Sequence, residues 1–574
     1  MAKVDLVVRG GTVADGTGGA LYEADVAVSG GRIVAVGQVA DTGIEEIDAK
    51  GLLVTPGFVD IHTHYDGQVV WDQRLAPSSF HGVTTAVMGN CGVGFAPVRK
   101  ADHARLVELM EGVEDLPGAV LHEGLSWGWE TFTDYLDVLA GRRYDMDVAA
   151  QLPHAPLRVY VMGDRACRLE AATPADIAEM RRLTAEAMRA GAVGFATSRS
   201  LNHKSVHGEP IPSLKASEAE LLGIALGMAD AGAGVMELAS DFDPETRDEE
   251  FAMLRRVVAQ SGRPLSFGVS QKNRDPDGWR RLLDLIEDAQ AHNLPISAQV
   301  APRPVGSIIT LQGSTNPFRL APSFKAVADQ PLPQMLAALR DPAVRARVLA
   351  ESEAHRLGPV MGRFGGFERL FLQDGAIDYT PRPETSVAHR AAAEGLDPLA
   401  MLYDHFLKGE GGGVAYFPVN NYTDFHLDAV LEMMRHPNTV MGLGDGGAHV
   451  GIISDASFPT YMLSHWARDA AGERQDLGWL VKRQTSDTAR LVGMTDRGVL
   501  APGLKADLNV IDFDRLGLEA PVMTPDLPAG GSRLLQRARG YVATVVSGET
   551  VYREGQATGA LPGRLVRGPA ATRQ

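Results

Sequence analysis

Cysteine is scarce: Cys91 and Cys167 are the two in a chain of 574 residues. They cannot build a disulfide framework, so a reducing compartment, the cytoplasm, is expected. No apolar run reaches the roughly 18 residues that suggest a membrane span. The opening MAKVDLVVRGGTVADG lacks the basic flank and apolar centre of a signal peptide. Lys and Arg number 55 against 72 Asp and Glu, a formal charge of −17. With no dense basic run, nucleic acid is not an expected partner. What is abundant is apolar residue, 45% of the chain, enough for a large core and more than one domain.

Residues 1–56 read as short strands joined by Gly-Gly turns, as in VDLVVRGGTVADG and EADVAVSGGRIVAVG. The same texture returns at 501–560. The two ends therefore predict one small antiparallel β-sandwich domain, followed by a loose tail at 561–574. The middle, 57–500, alternates differently. Short apolar strands such as GFVDIHTH, VTTAVMGN and GAVGFATS are separated by helical patterns such as TPADIAEMRRLTAEAMRAG. Pro174 stands at the first turn of that helix, a good start signal. Eight strands in this alternation favour an α/β fold with a closed (β/α)8 TIM-like barrel over an open sheet. The stretch near 303–410 is too long for a simple connection and is expected to form helices and loops over one barrel end.

His62 and His64 stand at the end of the strand in PGFVDIHTHYDG. Residues two apart in a strand share a face, and barrel sites sit at strand ends. Two neutral imidazoles offer half of a tetrahedral zinc site. Asp60 and Asp66 flank the pair, and Asp60 faces the same side as His62, placed to orient an imidazole or to cap a loop. Cys91, in GNCG, ends the next strand; its thiol is read as a metal ligand, a packed thiol or a nucleophile. Cys167 has no such context and is read as structural. Asp445, in GLGDGGAH, ends the last barrel strand, where a carboxylate can bind a metal or accept a proton. His449 follows, placed to touch substrate, assist proton transfer or order its loop.

These segments resemble the amidohydrolase superfamily, and within it the D-aminoacylase-like branch of N-acyl-D-amino-acid deacylases. The resemblance is carried by GLLVTPGFVDIHTHYDG, HGVTTAVMGNCGVGFAPV, DVAAQLPHAPLRVYVMG and GLGDGGAH. It implies that His62, His64, Cys91 and Asp445 are metal ligands, with Asp445 also the general acid/base. It implies a metal-dependent hydrolase of a non-peptide C–N bond, most simply N-acyl-D-amino-acid deacylation, with one or two Zn2+ ions. Cyclic amide hydrolysis is the alternative within hydrolases. An inactive barrel acting as a binding or structural protein is the alternative outside them.

The match breaks at the fifth and sixth strands, where the branch expects histidines. Those strands read GVMELASDFD and PLSFGVSQKN, and no histidine occurs from 208 through 291. Losing two imidazoles should weaken a zinc site unless other groups replace them. Glu237, His203, Lys204 and Gln271 are the candidate replacements or substrate-binding residues, with His207 a weaker one. One scheme seats a single ion on His62, His64 and Asp445; a second invokes a harder ion such as iron or manganese; a third loses hydrolysis. The expected partner is a small amide bearing a carboxylate, for which Arg158, Arg165, Arg199 and Lys204 are candidate clamps. The aromatic stretch LSWGWETFTDY is expected to line an acyl pocket or to pack a helix. A homo-oligomer is compatible with the sequence.

Overall fold

The computed structural model describes residues 3–353, 366–452 and 455–571. The two chain ends build one nine-stranded sheet. Its N-terminal strands are β1 (Lys3–Val13), β2 (Tyr22–Ser29), β3 (Arg32–Gly37), β4 (Thr42–Asp48) and β5 (Leu53–Pro56). Leu508–Ile511, Tyr541–Val546, Glu549–Arg553 and Gln556–Ala557 complete it. Gly30 and Gly31 have φ of 59° and 72°, which suits the two-residue hairpin between β2 and β3. The sheet is mixed rather than antiparallel throughout, because β4 and β5 lie parallel to β1. The β2–β3 hairpin occupies one edge of β1, so the chain crosses to the other edge and arrives parallel.

The middle of the chain is the expected barrel. Its first seven strands are β6 (Phe58–Asp60), β7 (Val83–Met88), β8 (Asp147–Pro153), β9 (Gly194–Ser198), β10 (Val235–Ala239), β11 (Leu265–Gly268) and β12 (Ile296–Val300). They pair in parallel in that order. β7, β8 and β9 are buried along their whole length, as strands covered on both faces must be. The intervening helices follow their sequence signals. Thr173 and Asp176 form a capping box ahead of helix Pro174–Ala190, which ends on Gly191 at φ 117°. Helix Gly278–Ala291 buries Trp279, Leu282, Leu283, Ile286 and Ala289, a single stripe at helical spacing.

After β12 the chain leaves the barrel. Helices in this excursion accompany a three-stranded antiparallel sheet of β13 (Val305–Thr310), β14 (Phe371–Gln373) and β15 (Val414–Asn420), a feature beyond the helices and loops expected. The unit has its own core, including Ile309, Phe318, Phe324, Leu339, Leu402 and Phe406. The part of the expected insertion at 354–365 lies outside the described residues. β16 (Thr439–Met441) then returns beside β12 as the eighth strand. The barrel is closed by the segments just beyond β6 and β16. Thr63 pairs with Gly446, the His64 amide donates to Gly446 O at 2.7 Å, and the Asp445 amide donates to His62 O at 3.0 Å.

The tail expected to be loose is docked through Gly568. Gly563 pairs with Tyr144, Val566 N donates to Val148 O at 2.7 Å, and Gly568 N donates to Gly191 O at 2.8 Å. Backbone pairing with the segments around β8 and before β9 holds it. Residues 572–574 of that tail lie outside the described residues. Among the described residues, no helix is long and apolar enough to cross a membrane.

Candidate metal centre

Barrel closure places His62 and His64 against Asp445. Asp445 Oδ1 lies 3.4 Å from His62 Nε2 and 3.6 Å from His64 Nε2. Cys91 Sγ, from the turn after β7, lies 3.6 Å from the same His62 nitrogen. Among the described residues, His62, His64 and Cys91 form the group of three metal-binding side chains whose donor atoms all lie within 4.8 Å of one another. A tetrahedral ion with bonds of about 2.0–2.3 Å sets neighbouring donors about 3.3–3.6 Å apart. The separations of Asp445 Oδ1 from the two imidazoles, 3.4 Å and 3.6 Å, and of Cys91 Sγ from His62, 3.6 Å, match that edge length, and the His62, His64 and Cys91 donors all lie within 4.8 Å, a grouping compatible with one divalent cation. The Asp445 side chain is 19% exposed while the two imidazoles are 4% and 1% exposed. The site is thus open on the carboxylate's side and sealed on the imidazoles'.

The backbone at the centre is held in an unusual region. Cys91, Asp445 and His449 have φ of 53°, 48° and 47°. Left-handed backbone at non-glycine residues costs on the order of 1–2 kcal/mol each, and the surrounding loops impose it. Gly89, at φ 88°, leads the chain into Cys91, and a Cβ there would stand 2.4 Å from Gln151 O. Asp66 reinforces the same turn, since its Oδ2 accepts from Gly89 N at 3.1 Å. Asp60 holds the backbone, its Oδ1 accepting from His62 N at 3.0 Å, and its charge also bears on the His62 ring.

Glu237 on β10 points into the centre. Its Oε2 accepts from Cys91 N at 3.0 Å, and its Oε1 is 3.9 Å from His62 Nδ1. That Oε1 is buried with no hydrogen-bond partner, an arrangement that favours a nearby cation. Two further neighbours of the histidines escaped the sequence reading. Glu114, ending helix His103–Glu114, is 2% exposed; its Oε1 is 3.2 Å from His64 Nδ1 and its Oε2 3.6 Å from His449 Nε2. Gln299, on β12, reaches His62 Nδ1. A glutamate in ELMEGVED carries no local signal, because acidic residues near a helix end read as solvated. Gln299 did carry one: it is a polar residue inside the apolar strand ISAQV.

The electrostatics point the same way. Burial opposes ionisation of Asp445, yet a hydrogen bond from His64 and the charges of His62, His64 and His449 hold its carboxyl well below the usual range. Burial pushes His64 down to about 4. Burial, then the carboxylates of Glu237, Glu114 and Asp445, pushes the Cys91 thiol up. Burial likewise raises Glu237, to about 7, and raises Glu114 well above its ordinary value. A divalent cation reverses this balance, because it favours the thiolate and carboxylate forms together.

The remaining candidates are distributed as follows. His203 is brought near the centre, with Nδ1 on Ser198 Oγ at 2.8 Å, and it is held low, to about 4, by burial and then by His449 and His64. His207 is exposed beside Glu108, and Lys204 is exposed on the same loop. Gln271 is buried and tied to the segment after β15, through Asn421 Oδ1 at 2.8 Å and Asp424 Oδ2 at 2.7 Å. Arg158 is fully buried and donates to Glu220 and to the carbonyls of Ala166, Pro212 and Glu170. Arg165 is paired with Asp176 and Arg199 with Glu250. Trp129, Phe132 and Tyr135 of the aromatic stretch pack into the barrel core, and Trp127 stacks on His103 at 3.7 Å. Cys167 is a free, partly buried thiol against the core.

Comparison with known sequences matches residues 45–552 to the amidohydrolase family. The chain belongs to that family. The D-aminoacylase of Alcaligenes xylosoxydans xylosoxydans is 27% identical over 581 residues, 99% of this chain and 98% of that one. A solved D-aminoacylase, described by one-metal activation and second-metal attenuation of a binuclear centre, superposes with a TM-score of 0.65 at 24% identity, covering 98% of this chain and 100% of its own. An N-acyl-D-glutamate deacylase from Bordetella bronchiseptica, solved with zinc and a phosphonate inhibitor, gives the same score and identity over 99% and 100%. This amidohydrolase thus sits in the D-aminoacylase-like branch, a metal-dependent enzyme of non-peptide C–N bonds. Its donor cluster is His62, His64 and Cys91, with Ala239 at the end of β10 and Ser270 just beyond β11.

Proposed function

We propose that this amidohydrolase cleaves the amide bond of N-acyl amino acids, of D configuration as in its named relatives, with one zinc ion. The observation that carries the reading is Asp445 Oδ1, 3.4 Å and 3.6 Å from the two imidazole nitrogens. His62, His64 and Asp445 would hold the ion, with Cys91 as a fourth donor or an adjoining one. When bound, the ion supplies Lewis acidity, lowering the pKa of water and polarising a carbonyl. The chain's own residues handle the proton. Asp445 is held ionised by its imidazole neighbours, so it can take the proton of the attacking water and return it to the leaving nitrogen. Glu237 and Glu114 bring two further carboxyl groups to the histidines, and a bound divalent cation would favour their ionised forms.

A carboxylate-bearing substrate needs a cation at the barrel mouth. Lys272 follows β11 and is half-buried, and its ammonium donates to Asp241 O at 2.5 Å. Arg158, Arg165 and Arg199 are each tied to a protein carboxylate, whereas Lys272 is held by a single backbone carbonyl, which makes it the candidate partner for the substrate carboxylate.

The test is a metal analysis of purified protein followed by turnover of paired N-acyl-D, N-acyl-L and cyclic amide substrates. The expected result is about one equivalent of zinc and preference for N-acyl-D-amino acids. Faster opening of a cyclic amide would overturn the substrate, and full activity without any bound metal would overturn the mechanism.

A further inference from the structure

The two nitrogens of His62 face different surroundings. Nε2 faces Asp445 Oδ1 and Cys91 Sγ at 3.4 Å and 3.6 Å. Nδ1 lies 2.9 Å from Gln299 Oε1. Gln299 is 2% exposed, and its amide nitrogen donates to Ser266 Oγ on β11 at 2.9 Å. An amide oxygen only accepts, and a neutral imidazole carries one N–H. In this arrangement the ring proton therefore sits on Nδ1 and the lone pair on Nε2, aimed at the donor group. An amide turned over would offer NH2 to Nδ1, move the ring proton to Nε2 and close that atom to a cation. The fit is tight: a Cβ on Gly442 would stand 2.6 Å from Gln299 Oε1.

We propose that Gln299 is a positioning residue for the metal, fixing His62 in the tautomer that presents Nε2, while Ser266 anchors the far side of the amide. This inference rests on the metal-dependent reading above. It explains why a neutral amide suits this position. Asp445, Glu237 and Glu114 already bring three carboxyl groups to the two histidines. An amide orients the ring without adding a fourth. It also gives Ser266 a part at the sixth strand, where the branch pattern predicts a histidine further along.

The experiment is zinc affinity of the full chain, measured by competition with a chromogenic chelator, alongside thermal unfolding of the metal-free protein. Gln299→Met keeps the length and removes the strong acceptor; Gln299→Glu keeps the acceptor. Orienting partners of ligating histidines are worth roughly 10- to 100-fold in metal affinity. We expect that loss in Gln299→Met, near-wild-type affinity in Gln299→Glu, and a smaller loss in Ser266→Ala, which also serves if Gln299→Met does not fold. Equal weakening by Met and Glu would reduce Gln299 to packing and overturn the inference. So would unchanged affinity in Gln299→Met while His62→Ala loses zinc. If His62→Ala binds zinc as wild type does, the metal reading fails as well, and the two failures are told apart.

Discussion

Asp445→Asn separates chemistry from architecture. Asparagine has the size of aspartate and is among the residues that tolerate left-handed backbone, here at φ 48°. The backbone bond that helps close the barrel, Asp445 N to His62 O, and the turn bond Ala448 N to Asp445 O, each 3.0 Å, do not involve the side chain. What changes is the group 3.4 Å and 3.6 Å from the two imidazoles. It loses its charge and its capacity to take a proton. A positioned general base is worth about 10²- to 10⁴-fold in rate, or about 3–5 kcal/mol of activation free energy. Turnover of an N-acyl amino acid should fall by that factor at saturating zinc, with zinc content measured on the same sample. The metal-free unfolding midpoint should stay within a few degrees of wild type. Turnover within tenfold of wild type, at equal metal content, would refute the assignment of Asp445 as the proton carrier.

Three other outcomes follow from the same geometry. Glu114→Leu, which removes the acceptor 3.2 Å from His64 Nδ1, should weaken zinc binding by roughly 10- to 100-fold; an unchanged chelator competition curve would leave Glu114 without a part in holding the ion. Cys91→Ala should lower zinc occupancy, because its sulfur is 3.6 Å from His62 Nε2; full occupancy would assign the thiol to packing. Asp145 predicts a pH effect on stability away from the centre: it is buried, accepts from Leu75 N and Tyr552 Oη, and burial raises it from 3.8 to about 6. Its folded form keeps the proton longer than the unfolded chain, so this group's contribution to stability is full below about pH 4 and is lost as pH rises through about 6, by up to about 3 kcal/mol. Asp145→Asn should flatten that fall in chemical unfolding between pH 4 and 7, and parallel curves for the two proteins would refute the reasoning.

Much of the fold was legible because its causes are local. Buried parallel strands read as apolar runs, and the capping box at Thr173 and Asp176 is written in four consecutive residues. The mixed register of the terminal sheet was not legible, since alternation gives the face of a strand and not the direction of its neighbour. Nor was the docking of the tail, which depends on backbone groups near β8 and β9 more than 370 residues earlier.

The centre divides along the same line. The sequence by itself placed His62 and His64 on one face and Cys91 and Asp445 at strand ends; the strands stop at Asp60, Met88 and Met441, and these side chains stand on the segments just beyond them. The chain text also showed that the fifth- and sixth-strand histidines are missing. Only the tertiary structure decided what stands around the remaining donors: Glu237 on β10, Glu114 from a helix after β7, and Gln299 with Ser266 from two further strands. Closing the barrel aims these side chains at one point. Which residues meet there is fixed by the order and stagger of eight strands, a long-range property that no local period records.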